Sequence, residues 1–245
     1  MSPTLYRGAA PAPLWLAILL AMLTMLSPFS IDTFFPSLRD IERQFAVSPL
    51  ATQQLLTAYM LPYALMALVH GPLTDALGRR RIALLGLGAH AAASFACALA
   101  PSFAVLLAMR AAQGITAGAG MAVSRAVVRD LYDGPEAQRL LSTMSMIFTL
   151  APAVAPVVGG VLQVNFGWRA SFVFVALLAA MLWVAVWRRL PETHPPERRL
   201  PFAFVPLARA SWNVMRHREF QLLALANALL FAAIIAVIGS APVVV

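Results

Sequence analysis

The sequence predicts an all-α protein, a polytopic membrane helical bundle, and three observations carry that prediction. Charged residues make up 11% of the 245 and apolar ones 61%, where an ordinary soluble domain carries about 25% charged residues. The apolar residues gather in runs of about 20 with almost no charge, the length needed to cross a hydrocarbon core. The runs are continuous rather than alternating, so their backbones satisfy themselves as helices and not as barrel strands.

Seven spans follow in order. The first, 14–35, is a run of about 22 residues, longer than a secretory h-region and without a small-residue cleavage site after it, so it stays in the mature protein. The second, 51–69, ends at the segment Gly71-Pro72-Leu73-Thr74-Asp75-Ala76-Leu77-Gly78-Arg79-Arg80-Arg81, whose arginines close it before the third span, 82–100. The fourth, 103–128, contains Arg110 and Arg125, and the fifth, 140–164, contains Pro152 and Pro156. The sixth, 168–187, stops at Arg188 and Arg189. The seventh starts at Phe220 and runs to the end.

This divides the chain into a six-helix unit (1–188), a cytoplasmic linker (189–219) and the first helix of an incomplete second half (220–245). Residues 191–206, rich in Pro and Arg and without an apolar period, read as the linker proper. Residues 208–218 form a candidate helix lying on the membrane surface, with Trp212, Val214 and Met215 among arginines.

The formal charge of +8 comes from arginine alone, since the chain has no lysine. A nucleic-acid binder would collect these on a folded basic face. Here they sit in short segments between apolar runs, and when alternate segments are assigned to opposite sides, thirteen of the eighteen fall on one side and three on the other. By the positive-inside rule, as it holds in bacterial-type inner membranes, the amino terminus is cytoplasmic. The single cysteine, Cys97, lies in an apolar run, which excludes an intrachain disulfide and suits packing. No nucleophile triad, phosphate loop or metal cluster is present, so neither an enzyme activity nor a cofactor is expected.

Ionisable residues inside apolar runs are costly and mark function by default. Asp32 lies about a turn from the outer end of the first span, and Arg110 enters the fourth to a similar depth, about 10 Å. A carboxylate that faces a guanidinium in one state and loses it in another binds its proton with alternating strength, which is what a proton-coupled carrier requires. The plainer alternative puts Asp32 at the interface near Pro36, with Arg110 reaching outward. Gln113 shares a stripe with Arg110, and Gly114 and Gly118 make a face for close helix approach. In the fifth span Pro152 and Pro156 each remove a backbone donor, and Gly159 and Gly160 permit tight contact, which predicts a bent, closely packed helix. Gly71 and Gly78 permit a tight turn between spans two and three, Asp75 is suited to accept hydrogen bonds at a helix start, and the arginines anchor to anionic lipid or acidic partners. His70 and His90 read as packing or interfacial residues.

These motifs together resemble the major facilitator superfamily. Gly71, Asp75, Gly78, Arg79 and Arg80 are similar to its signature between spans two and three, and Arg110, Gln113 and Gly114 to its span-four motif. Pro156, Gly159 and Gly160 are similar to the span-five motif of its antiporters. The runs from Ser27 to Pro36 and from Ser124 to Asp130 narrow the resemblance to the Bcr/CflA branch of drug:proton antiporters. It implies a twelve-helix fold of two rocking halves, drug leaving as protons enter, with Asp32 as the embedded acid and Arg110 tied to coupling. It also implies a cytoplasmic charge cluster of Asp75, Arg79 and Asp130, with Arg79 against Asp130. The implied partners are the lipid bilayer, small lipophilic or cationic drugs, protons, and a missing second half if the chain is truncated.

Ala76, Ala151 and Ala155 depart from the family pattern and are expected to loosen helix contacts slightly. A metabolite carrier of the same superfamily, for an amino acid, peptide or sugar, and a non-transporting truncated membrane protein are the competing readings. The span linings of Ala, Leu, Val and Met favour lipophilic cargo over sugar.

Overall fold

The structure is a computed structural model, and it describes residues 11–199 and 201–240. The described residues fall into two units that divide after Pro201. The first contains α1 (Leu14–Asp32), a 3-10 turn (Phe35–Ser37), α2 (Leu38–Phe45), α3 (Pro49–Leu77), α4 (Arg79–Ala98), α5 (Phe103–Leu131), α6 (Gly134–Phe166) and α7 (Arg169–Arg189). The second contains α8 (Phe204–Arg216) and α9 (Arg218–Ser240). Among the described residues, six helical stretches of the first unit are long and apolar enough to cross a membrane. The expected seventh span is the helix α9; its last five residues, 241–245, lie outside the described residues.

Local chemistry sets the ends. Ser48 accepts the amide of Ala51 with Pro49 in the first turn of α3, and Ser102 accepts the amide of Val105 at the start of α5. Gly167, at φ +78°, stops α6. Helix α6 passes unbroken through both Pro152 and Pro156.

The segment expected to be a loop between spans two and three is almost entirely helix. Helix α3 continues eight residues past the apolar run to Leu77, and α4 starts at Arg79, so only Gly78 separates them. Gly78 adopts φ +94° and ψ 153°, a conformation closed to side chains other than glycine's. The whole reversal is made at that residue. Gly71 therefore lies inside α3 rather than in a turn, and Asp75 sits in the last turn of α3 rather than at the start of α4. Hydropathy could not find this helix end, because the polar residues Thr74 and Asp75 continue the helix beyond the apolar run.

Helix α5 packs against α3, α4 and α1, while α4 packs on α7, and α1 on α6 and α7. The α3–α5 contact is close because Gly114 has no side chain: a Cβ there would overlap the Tyr59 carbonyl. Gly118, one turn on, faces the buried His70 ring. The apolar core forms two clusters. One holds Leu20, Leu26, Leu87, Val123 and Val175; the other, nearer the α2 end, holds Phe34, Leu55, Cys97, Leu106 and Phe172. Along α1, α4 and α5 the polar residues Ser30, His90, Ser94, Arg110 and Gln113 fall between the two clusters, and all five are buried.

Candidate functional site

Arg110 is fully buried at the centre of this polar layer. Its Nη1 donates to the Ser30 carbonyl and to Gln113 Oε1, both at 2.9 Å, and its Nε donates to the Leu55 carbonyl at 3.3 Å. The guanidinium carbon lies 4.3 Å from the Phe34 ring centre and 4.5 Å from that of Tyr59, with Phe172 at 5.9 Å. A cation buried here is held by backbone dipoles and aromatic faces. Nη2 has no partner.

Gln113 extends the layer, its amide donating to Ser94 Oγ at 2.7 Å while Cys97 Sγ donates to its oxygen at 3.5 Å. His90 bridges three helices: Nε2 lies 2.9 Å from Ser30 Oγ, and Nδ1 lies 2.9 Å from Thr116 Oγ1 and 3.2 Å from the Gln113 carbonyl. His90, expected as a packing or interfacial residue, and Cys97, expected to pack, both join this polar network. The signal was available, since His90, Ser94 and Cys97 recur at helical spacing on one face of α4.

Asp32 is half-buried at the end of α1, two residues beyond the carbonyl that Arg110 binds and two before Phe34. Among the described residues its carboxylate makes no hydrogen bond or ion pair, and Arg110 has no carboxylate partner. The structure therefore brings Arg110 to the turn of α1 that carries Asp32 without joining the two charges. Nor do Arg110 and Gln113 line an open cavity here, because Phe34, Tyr59 and Phe172 close over the guanidinium. Beside Asp32, Gly159 of α6 meets the Thr33 backbone so closely that a Cβ would overlap its carbonyl, whereas Gly160 faces open space. Ala151 and Ala155, expected to loosen the packing, are buried in the core cluster. Pro152 is exposed and Pro156 half-buried.

At the other end of the bundle Arg79, 4% exposed, gathers an ionic cluster. It pairs with Asp75 at 2.6 Å and grips Asp130 through Nε at 3.0 Å and Nη2 at 3.4 Å. Thr74 Oγ1 accepts from Nη1 at 3.3 Å. The helix-start position once expected for Asp75 is taken by Glu192, which accepts the Arg79 backbone amide at 2.8 Å, and Thr193 donates to Asp130 at 2.8 Å. Arg80 donates to the Trp187 carbonyl near the end of α7 at 2.6 Å. So the first residues of the Pro-rich linker pack onto the bundle. Glu192 and Thr193 were invisible to sequence reasoning because their partners lie 63 to 113 positions away.

Asp130→Asn is expected to weaken this cluster by about 1.5–3 kcal/mol, the usual worth of a hydrogen bond to a charged group. The readout is twofold: a lower unfolding temperature, and faster tryptic cleavage at Arg198 and Arg199 once Thr193 loses its anchor.

Six membrane-length helices packed about a buried cationic layer, with an ionic cluster at one end, define a polytopic membrane helical bundle. The chain belongs to the Major Facilitator Superfamily, whose sequence model matches residues 20–245. It is 33% identical over 200 residues to a bicyclomycin resistance protein homolog of Haemophilus influenzae, covering 82% of this chain and 50% of that one. It is 31% identical over 188 residues to Multidrug resistance protein D of Escherichia coli, covering 76% and 48%. These names agree with the Bcr/CflA-type resemblance. Among solved structures, a bacterial homolog of the human lysosomal transporter Spinster superposes with a TM-score of 0.69 at 21% identity, over 85% of this chain and 49% of that one. That likeness concerns the fold. The chain spans about half the length of the curated relatives it matches.

Proposed function

We propose that this chain carries the six-helix, proton-coupling half of a drug efflux antiporter, in which Asp32 exchanges a proton and Arg110 positions the helix turn that carries it. The carrying observation is the grip of Arg110 on the Ser30 carbonyl, two residues from Asp32. A half-buried carboxylate with no partner is free to take up and release a proton, while the arginine beside it, bonded to the Ser30 carbonyl, keeps α1 in register with α5. The names of the resistance relatives support drug cargo. The cluster of Asp75, Arg79, Arg80 and Asp130, with the reversal at Gly78, serves as the cytoplasmic gate, and its rupture accompanies opening toward the cytoplasm. The arginine asymmetry supports a bacterial inner membrane with the amino terminus inside.

Everted vesicles that carry the chain as one half of a complete two-half carrier, energised to an acid interior, test this reading. Adding chloramphenicol should release protons, read as recovery of quenched acridine-dye fluorescence. Asp32→Asn should cut that release by more than about tenfold at every pH, because the exchangeable proton is gone. Wild-type release in the Asp32→Asn protein removes the assigned role, and release driven only by amino acids, peptides or sugars reassigns the cargo.

A further inference from the structure

A small recess of about 110 Å³ opens between α1, α5 and α6, away from the Arg110 layer. Its walls include Thr24, Met121, Met144, Ser145 and Phe148, and Arg125 of α5 stands in it. Arg125 is exposed and, among the described residues, has no hydrogen bond, ion pair or aromatic face. By contrast, Arg79 holds Asp75 and Asp130, Arg80 holds a carbonyl, and Arg110 is enclosed. A guanidinium inside an apolar helix, six residues and about 9 Å from its end, is expensive unless something pairs with it.

The hydroxyls beside it narrow what that is. Thr24 donates to the Ala21 carbonyl at 2.6 Å and Ser145 to the Leu141 carbonyl at 2.9 Å. Their hydrogens are used, so they offer only acceptor lone pairs. Arg125 is then the donor of the recess, and its planar fork matches an oxyanion in two parallel bonds. Met121, Met144 and Phe148 give an adaptable apolar wall. The volume suits a head group, with an apolar body resting in the mouth.

We infer that Arg125 makes this recess a binding site for amphipathic oxyanions, compounds with a carboxylate or similar acid group on an apolar body. A cationic compound is repelled from it, which departs from the cationic cargo that the resemblance implied. The inference deepens the efflux reading and rests on it for the view that a bound compound is cargo; the preference for anions rests on the recess alone. The oxyanion has two possible sources, a dissolved organic acid or an anionic lipid.

The test uses the purified chain in nanodiscs of zwitterionic lipid, with equilibrium binding of 2-naphthoate and of 2-naphthylmethylammonium. Wild type should bind the carboxylate at least about tenfold more tightly than the ammonium, the scale of one paired charge. Arg125→Gln should abolish that preference, and Arg125→Lys should keep part of it. Replacing half the lipid with phosphatidylglycerol distinguishes the sources: weakened naphthoate binding in wild type alone assigns the site to lipid, and unchanged binding assigns it to dissolved acids. Equal binding of the two probes by wild type, binding of neither, or naphthoate binding unaffected by Arg125→Gln overturns the inference. Since vesicle proton release with chloramphenicol is measured separately, the efflux reading can stand while this inference falls.

Discussion

Arg110→Ala is expected to abolish drug-driven proton release and to destabilise the bundle by at least about 3 kcal/mol, read as a lower unfolding temperature of the purified protein. The loss has three parts. Hydrogen bonds to Ser30, Leu55 and Gln113 disappear, and these tie α5 to α1 and α3. The aromatic faces of Phe34 and Tyr59 lose the cation that they stack against. A void opens between two apolar clusters that the guanidinium now bridges. Arg110→Lys separates charge from geometry, because an ammonium keeps the charge but cannot span several acceptors with a planar fork. It should retain more stability than alanine while losing most of the proton release. Full release by the alanine variant would show that the arginine layer is only packing.

The second large effect contrasts two adjacent glycines. Gly159→Val should cost about 1–3 kcal/mol by overpacking and stop proton release, since the new side chain collides with the Thr33 carbonyl and pushes α6 off the turn next to Asp32. Backbone cannot swing aside as a flexible side chain would. Gly160→Val should change stability by less than about 0.5 kcal/mol, because nothing lies within 4 Å of the position a Cβ would take. Thermal unfolding and vesicle proton release on the pair, side by side, check this. Equal damage at both positions would place the cause in added bulk anywhere on this turn of α6 and not in the α1–α6 contact, since helix propensity by itself favours valine over glycine.

The two glycines also show where reading a motif reaches its limit. Pro156, Gly159 and Gly160 form one motif in the resemblance, yet Gly159 is pressed against the Thr33 backbone while Gly160 faces open space. A helix turns about 100° per residue, so neighbours in sequence face different surroundings. The same separation divides Arg79, fully engaged with Asp75 and Asp130, from Arg125, which stands free in a recess. Both are arginines near the same end of the bundle, and composition cannot tell them apart.

Hydropathy by itself determined the helical class, the order of the spans and the placement of Asp32 and Arg110 inside them, because the cost of exposing backbone and charge to hydrocarbon acts on local stretches of chain. The tertiary structure alone decided which groups meet: carbonyls and aromatic rings around Arg110 instead of Asp32, His90 bridging three helices, and Glu192 capping a helix that begins 113 positions earlier. It alone reduced the expected loop to one residue, Gly78. Such pairings depend on the rotation and approach of packed helices, which are set by side-chain interlocking across elements distant in the chain, and local sequence carries no record of them.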